Sequence, residues 1–526
     1  MNRRFPVGSL VTIGLLAVIA LLLGVVLHPL AVDDAYITYR YAQNLASGRG
    51  FAYNAGQPVL STTAPLYALL LAAGALLEPD LPAVANTLSA LALWLGATLL
   101  FVLGQREGTP WAGVLAALLY LLYPLLWLSL GLETPVFLAL ALGAIVAYRG
   151  GRLYLSAALL ALATCTRGDG LILAAVLAAG YGLRWLGPLM RSGSVQPTAR
   201  RPLAPGLRAA LGALGVYGAV MLPLLAWLTW QFGSPLPATL GAKVAQAELG
   251  VTGFYAHTTY LQGLGILVRA RLAQTPLYAL LALAALVGLL AMRRRGQWLQ
   301  LLVAWAIAHL VGYTVLGVTP YYWYYAPLVP ALAGSAALGV VESARWLAQR
   351  TGARRAAWGV GGLWAAALIV ALLWSDGALV RALDGPVPPP DDPVSKVLPE
   401  AKVGPYERAG RWLHDHTPAD ALVGVTEVGI MGYYAQRPMI DFLGLLEPDV
   451  AQALGRGDLY WALVRYQPDY LALTAISPLY AYDLRADLWF QATYAPLETV
   501  DDPRFWGSPV TIYERRVART SWFEAD

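Results

Sequence analysis

The chain has 526 residues, 58% of them hydrophobic and 13% charged, whereas charged residues make up about 25% of a typical soluble protein. This composition excludes a soluble globular protein, and the single cysteine, Cys165, excludes an internal disulfide and a cysteine metal site. The formal net charge of +5 comes mostly from arginine. Arginines in short loops mark the cytoplasmic side of a membrane protein, so the charge gives no reason to expect a nucleic-acid partner.

The first apolar run, from about residue 7 to 30, is too long for the core of a signal peptide and predicts a retained membrane span. Two adjacent carboxylates, Asp33 and Asp34, follow it directly. Ionisable groups at such a depth are costly, so they need a charge partner, a metal or a chemical task. The other Asp-Asp pairs of the chain lie in stretches typical of wet loops, so position singles this pair out.

The distribution of arginine sets the predicted topology. Arg3 and Arg4 precede the first span and indicate a cytoplasmic N-terminus. If the short apolar stretch 63–77 only dips into the membrane interface, the later arginine-rich loops fall on that same side, whereas a crossing at 63–77 would place them outside. The pattern therefore predicts about eleven spans with the C-terminus outside. They are residues 9–30, 81–104, 111–130, 134–148, 154–167, 170–187, 208–231, 275–292, 298–316, 325–344 and 357–374.

The predicted organisation has three parts. A membrane module at 1–374 has outer loops at 31–80 and 232–274, the first with interfacial helices. A proline-rich linker occupies 375–402, and an extracytoplasmic domain occupies 403–526. In that last part the short apolar stretches ALVGVT, PMIDFLG, DYLALT and VTIYERR alternate with helical stretches such as DLYWALVRY. This alternation is typical of a small α/β domain.

The topology gathers polar residues near the apolar core on the outer face. Glu133 follows the third span, Arg167 and Asp169 lie between the fifth and sixth spans, and Lys243 lies in the long outer loop. The middles of the spans are almost bare of charge. A pump or a channel would place ionisable groups there, so the pattern favours chemistry at the outer interface.

Each candidate has a structural and a chemical interpretation. Asp33 and Asp34 either form a polar cap that ends the first span, or supply a general base and its helper, since a carboxylate near apolar surface gains affinity for a proton. Glu133, Arg167 and Asp169 either form ion pairs that fix helix ends, or bind the acceptor and hold the carboxylates.

The remaining candidates are a lysine and an aromatic run. Lys243 is either a solvated loop lysine or the cation that meets a departing phosphate. The run with Tyr321 and Tyr322 is either an aromatic belt at the membrane interface or a wall on which a sugar stacks.

The acidic pair, the segment YITYRYAQNLASGRGFAYNAGQPV after it and the helix start APLYALLLA resemble the first loop of the GT-C superfamily of membrane glycosyltransferases. The resemblance is to the bacterial branch with terminal arabinofuranosyltransferases and, more distantly, to protein O-mannosyltransferases and aminoarabinose transferases. Further segments are similar in the same order: GLETPVF, TRGDG, GSPLPATLGAK, YYWYYAP and VGIMGYYAQRPMIDFLGL.

The resemblance implies an inverting transfer of a sugar from a polyprenyl-phosphate donor to an extracytoplasmic hydroxyl of a glycan, lipid or protein, at a bacterial-type cytoplasmic membrane. Carried onto this chain, Asp33 or Asp34 would be the base, and the position nearer the first span favours Asp33. Lys243 would contact the lipid phosphate, and Arg40 would hold a carboxylate or a phosphate. Residues 59–64 depart from the family's glutamate-glycine-tyrosine-threonine pattern, which leaves the sugar and the acceptor open.

The resemblance also leaves the metal open. Some members use a divalent cation, here Mg²⁺, Mn²⁺ or Ca²⁺ held by Asp33 and Asp34, and others use none. Two rival interpretations remain. One is a non-catalytic or transport protein that handles lipids or glycans. The other is a different enzyme on the same scaffold, which would require a nucleophile and metal ligands in the outer domain.

Overall fold

A computed structural model describes residues 7–26, 32–191, 203–249, 259–317, 320–384, 403–477, 479, 484–505 and 507–519. Up to residue 384 the described residues form mainly α-helices, and a 3₁₀ helix, Tyr322–Leu328, precedes α15. The helices are α1 (Val7–Val26), α2 (Asp33–Ala46), α3 (Pro65–Gly74), α4 (Leu81–Arg106), α5 (Pro110–Leu121), α6 (Pro124–Trp127), α7 (Thr134–Arg149), α8 (Leu153–Thr166), α9 (Gly170–Arg191), α10 (Leu203–Phe232), α11 (Thr239–Leu249), α12 (Tyr260–Gln274), α13 (Tyr278–Arg295), α14 (Gln297–Leu316), α15 (Val329–Thr351) and α16 (Arg354–Asp384).

Proline and glycine mark many of the helix ends. Helices α3, α4, α5, α7 and α15 have a proline in the first turn, where its fixed φ suits the helix and its missing N–H is not needed. Helices α14 and α15 end at Gly317 and Gly352, whose φ angles of 69° and 71° are left-handed. Glycine adopts this conformation without strain and closes the last turn.

The protein is a multi-pass helical membrane protein, as predicted. Six helical stretches among the described residues are long and apolar enough to cross a bilayer: Val7–Val26, Leu81–Arg106, Gly206–Phe232, Gln297–Leu316, Tyr322–Thr351 and Arg354–Ser375. A helix also lies at each of the other predicted spans, but the count of about eleven and the orientation stay predictions. With 10 residues, α3 extends about 15 Å, half of the hydrocarbon core, which supports a dip at 63–77.

The C-terminal domain is called the outer domain after its predicted side of the membrane. It contains α17 (Val403–His416), β1 (Val423–Val425), α18 (Gly429–Ala435), β2 (Met439–Asp441), α19 (Pro448–Gly455), α20 (Trp461–Tyr466), β3 (Tyr470–Thr474), α21 (Leu488–Thr493), β4 (Tyr494–Val500) and β5 (Val510–Arg515). Its strand order is β2-β1-β3-β5-β4. Strands β2, β1 and β3 are parallel, while β5 pairs antiparallel with β3 and β4. The predicted α/β character and the four predicted strands are confirmed.

Two predictions about this part of the chain need correction. Strand β4 was not among the predicted strands. It contains Pro496 and lies at the edge of the sheet, where a strand tolerates proline. Helix α16 continues to Asp384, so the first ten residues of the predicted linker 375–402 are helical. The rest of that linker, residues 385–402, lies outside the described residues.

The outer domain lies directly on the first outer loop. The Tyr53 hydroxyl donates to the main-chain oxygen of Val428 at 2.6 Å. The Asn54 side chain exchanges two hydrogen bonds with the main chain of Met439, at 2.8 and 2.9 Å. Helix α2 therefore lies buried between the helical bundle and the outer domain, and its carboxylates face both.

Candidate active site

Helix α2 gives its two carboxylates different partners. Asp33 is 6% exposed, and its carboxylate accepts hydrogen bonds from the main-chain N–H groups of Gly429 at 3.0 Å and Ile430 at 2.8 Å. These are donors in the first turn of α18, which lack partners within their own helix. Asp33 thus accepts hydrogen bonds from the first N–H groups of α18 and connects the outer domain to α2.

Asp34 forms an ion pair with Lys243. Its Oδ2 accepts from the Lys243 Nζ at 2.7 Å, and the two side chains are 30% and 13% exposed. Adjacent residues of a helix point about 100° apart, so Asp34 faces α11 while Asp33 faces the outer domain. Burial alone would lower the pKa of Lys243, but the Asp34 carboxylate and nearby tyrosines raise that pKa well above its usual value. The lysine is therefore a cation.

Aromatic rings surround the Lys243 ammonium. The nitrogen lies 4.9 Å from the centre of the Tyr321 ring, and 3.4 Å from the Tyr324 hydroxyl. Tyr321 and Trp323 stack at 4.6 Å with ring planes 8° apart. Rings at such distances attract a cation electrostatically, so this aromatic wall holds the lysine at the mouth of the bundle.

A second cluster centres on Arg167. Its guanidinium donates to Glu133 at 3.1 Å and to Asp169 at 2.8 Å, and the Tyr313 hydroxyl donates to Asp169 at 2.8 Å. The Arg167 guanidinium also lies 5.7 Å from the centre of the Tyr324 ring. The predicted residues, which come from two separate loops, thus form one buried network, and this matches their interpretation as ion pairs at helix ends.

Tyr324 connects the two clusters. Its hydroxyl faces Lys243 and its ring faces Arg167, while its main-chain oxygen accepts from the Tyr260 hydroxyl at 2.8 Å and from His309 at 2.9 Å. Tyr324 belongs to the predicted aromatic run but was not among the predicted site residues. No signal in the sequence separates it from its neighbours, because the choice depends on which ring the 3₁₀ helix turns toward the site.

Two predicted site residues lie apart from the Asp34–Lys243 pair. Arg40 is on the same face of α2 as Asp33, two turns further on. It is buried and donates to the side chain of Gln43 at 3.2 Å, and burial lowers its pKa. Tyr322 is also buried, and its hydroxyl donates to the main-chain oxygen of Leu128 at 3.2 Å. Their roles in binding substrate stay predictions, and Tyr321 rather than Tyr322 faces the lysine.

The outer domain also reaches the helix that carries Lys243. The Gln246 side chain donates to the main-chain oxygen of Leu443 at 2.7 Å, in the loop between β2 and α19. Burial raises the pKa of Asp441, the last residue of β2, to about 7, and raises the pKa of Glu447 in that loop well above its usual value. Near neutral pH this acidic pair carries less than its full charge, which limits its repulsion of Asp33.

The donor set does not fit a metal held by both Asp33 and Asp34. Each oxygen of the Asp33 carboxylate accepts a main-chain N–H, and the Lys243 ammonium occupies the place next to Asp34 that a cation would take. Hard divalent cations take six or more oxygen ligands. Among the described residues, no group of three or more histidine, cysteine or acidic side chains could hold a metal ion.

Comparisons with known proteins bear on the outer domain and on the fold. Residues 398–517 match a family described as a domain of unknown function, DUF8728. This match covers the outer domain and leaves the membrane-spanning part unassigned. No curated protein matches the chain.

Solved structures align with almost the whole chain. ArnT from Cupriavidus metallidurans, bound to undecaprenyl phosphate, aligns with a TM-score of 0.59 at 15% identity, over 95% of this chain and 97% of its own. The oligosaccharyltransferase of Archaeoglobus fulgidus, tethered with an acceptor peptide, aligns with a TM-score of 0.53 at 14% identity, over 98% of this chain and 74% of its own. At these identities the alignments show a shared fold.

Proposed function

We propose that this chain, which has the GT-C fold that its sequence predicted, is a membrane glycosyltransferase. It moves a sugar from a polyprenyl-phosphate donor to an extracytoplasmic hydroxyl at a bacterial-type cytoplasmic membrane. The observation that carries the proposal is the Asp34–Lys243 pair, with 2.7 Å between Oδ2 and Nζ. It supplies a base and a phosphate-binding cation side by side, in a fold shared with a protein that binds undecaprenyl phosphate.

Asp34 is the general base in this proposal. Its side chain is 30% exposed, so an acceptor hydroxyl can reach it. The hydroxyl gives its proton to the Asp34 carboxylate while its oxygen bonds to the anomeric carbon of the sugar. The bond from that carbon to the phosphate oxygen breaks, and the electron pair leaves with the polyprenyl phosphate. Attack from the face opposite the phosphate inverts the anomeric configuration.

Asp33 has a positioning role instead of the catalytic role that its place nearer the first span suggested. Both of its carboxylate oxygens already accept main-chain N–H groups of the outer domain. Its 6% exposure also keeps an acceptor away. Asp33 holds α2 against the outer domain and so fixes the direction of Asp34.

Lys243 has two partners in turn. Without a donor it neutralises Asp34. A donor phosphate beside the lysine is a competing anion, so it draws the ammonium away and leaves Asp34 free to take a proton. The same ammonium then stabilises the negative charge of the departing phosphate. A metal takes no part in this proposed reaction, because Asp33 and Asp34 do not fit one.

The Arg167 network supports the site through its contact with Tyr324. Arg167 is paired with Glu133 and Asp169, so its charge is largely satisfied before any substrate binds. It contacts the Tyr324 ring and thereby fixes the wall around Lys243. We assign this network to positioning of the donor site, and Tyr321 to contact with the sugar.

The experiment that tests the function is mass spectrometry of lipids and glycans from a strain that lacks the gene. We expect a polyprenyl-phosphate-linked sugar to accumulate and the same sugar to disappear from a glycan, lipid or protein outside the membrane. The wild-type gene should restore both. Unchanged lipid and glycan profiles in the deletion strain would exclude the proposed transfer and favour a lipid-handling or transport protein.

Lys243→Ala is expected to weaken binding of undecaprenyl phosphate by about 1.5–3 kcal/mol, the usual contribution of a hydrogen bond to a charged group. The purified variant would be titrated with this lipid and followed by native mass spectrometry. Arg269→Ala is the matched control, because Arg269 is an exposed cation on α12 outside the described site. Equal lipid binding by wild type and Lys243→Ala would contradict the assignment.

A further inference from the structure

Helices α13 and α15 pack side by side and approach each other closely at Gly288 and Gly339. A Cβ on either glycine would overlap the main chain of the other helix: the one on Gly288 would lie 2.7 Å from the carbonyl carbon of Ser335, and the one on Gly339 would lie 2.8 Å from that of Ala284. Small residues allow helices in a membrane to pack this closely. Beyond the crossing, toward Arg295, a cavity of about 680 Å³ separates the helices.

The polar side of this cavity carries excess positive charge. Arg294 and Arg295 come from the last turn of α13, and Glu342 and Arg345 come from α15. Glu342 accepts from Arg345 and lies 3.8 Å from Arg295, whose side chain is 57% exposed. Within the described part of the chain, Arg294 forms no ion pair. Among the described residues that line the cavity, three arginines and one glutamate give a net charge of +2.

The other side of the cavity is apolar and lies at the surface of the helical bundle. Val287, Leu290 and Trp346 line it, and Leu290 and Trp346 are 75% and 59% exposed. Tryptophan is enriched at the level of lipid headgroups. The cavity therefore has a positively charged side and an apolar side that can contact acyl chains. This lining matches a molecule with an anionic head and apolar tails.

We propose that this cavity binds the phosphodiester headgroup of an anionic phospholipid. Basic pockets between membrane helices on the cytoplasmic side recognise such headgroups, and the predicted orientation places this end of α13 on that side. The general excess of arginine on the cytoplasmic side does not by itself account for the positive charge of this cavity. At Arg149, on the same predicted side, the charge is neutralised by Glu107.

The site is separate from the proposed transfer reaction. Lys243 and Asp34 belong to the predicted outer face, whereas Arg294 and Arg295 belong to the opposite end of the bundle. A bound lipid would fill the space beyond the Gly288–Gly339 crossing and stabilise the spacing of α13 and α15. Its test therefore does not depend on whether the chain transfers a sugar.

The test is native mass spectrometry of the purified full-length protein with phosphatidylglycerol or phosphatidylcholine. We expect phosphatidylglycerol to bind at least tenfold more tightly, and the double variant Arg294→Gln, Arg295→Gln to lose that preference. Both side chains are exposed, so the variant should still fold. Arg152→Gln, an exposed arginine on the same predicted side, is the control and should bind phosphatidylglycerol like wild type.

Four outcomes would overturn the proposal. The two lipids could bind with equal affinity, or the double variant could keep the preference. The control variant could lose as much affinity for phosphatidylglycerol as the double variant, which would indicate unspecific attraction to anionic lipid. A fourth arm uses inorganic phosphate as the probe. Displacement of phosphatidylglycerol by millimolar phosphate would show a site for free anions and would also overturn the lipid assignment.

Discussion

Asp34→Asn is expected to lower the rate of sugar transfer by about 100- to 10,000-fold, the usual cost of losing a general base. Asparagine has nearly the same shape, and its side-chain oxygen can still accept from the Lys243 ammonium. It cannot take a proton from the acceptor hydroxyl. Donor binding should therefore persist while turnover falls. The measurement is turnover by the purified variant of the donor lipid extracted from the deletion strain.

Two further variants make this result specific. Asp415→Asn makes the same chemical change at an exposed position of α17 and should leave turnover unchanged. Asp33→Asn should reduce turnover less than Asp34→Asn, because one of the two main-chain bonds at Gly429 and Ile430 survives. If Asp34→Asn turns over at the wild-type rate, the acidic pair has only a structural role and the enzyme assignment loses its main support.

Much of the site could be predicted from the sequence because membrane topology is a strong constraint. Loops on one side of a bilayer must lie at one level, so residues as far apart as Asp34 and Lys243 were expected to lie near one another. The structure places them in contact and joins Glu133, Arg167 and Asp169 into one network. The apolar spans and the positions of arginine carried this information.

The division of roles between Asp33 and Asp34 could not be predicted in the same way. It depends on which face of α2 meets the outer domain, and that contact joins Asp33 to residues almost 400 positions later, at separations of 396 and 397. The donors there are main-chain N–H groups, which every residue except proline has. The residue types at Gly429 and Ile430 therefore did not identify these positions as partners of a carboxylate.

Gly429 has a role that only the packed structure shows. A Cβ at this position would overlap the main-chain oxygen of Asp33 and lie 2.7 Å from its carboxyl carbon. Glycine is thus required for the close approach of α18 to α2. Strand β4 was missed for a different reason, since a strand at a sheet edge needs neither a continuous apolar pattern nor the absence of proline.

Gly429→Ala is expected to lower kcat by about 100-fold, since a displacement of about 1 Å at a reacting group can cost that much. The added methyl group would push α18 away from α2 and lengthen the two hydrogen bonds to Asp33. Asp34, on the next position of the same helix, would then lose its fixed direction toward the acceptor. Lys243 lies on α11 and keeps its place, so the KM for the donor should change little.

This division between kcat and KM separates positioning from general destabilisation. Gly455→Ala is the matched control, because it adds the same methyl group to the same domain where a Cβ would meet nothing within 4 Å. Both variants should keep the thermal unfolding midpoint and the protease resistance of the outer domain near wild type. An unchanged kcat in Gly429→Ala would show that the contact of the outer domain with Asp33 does not govern catalysis. An equal loss of kcat in Gly455→Ala would show that the effect comes from a change in the domain as a whole.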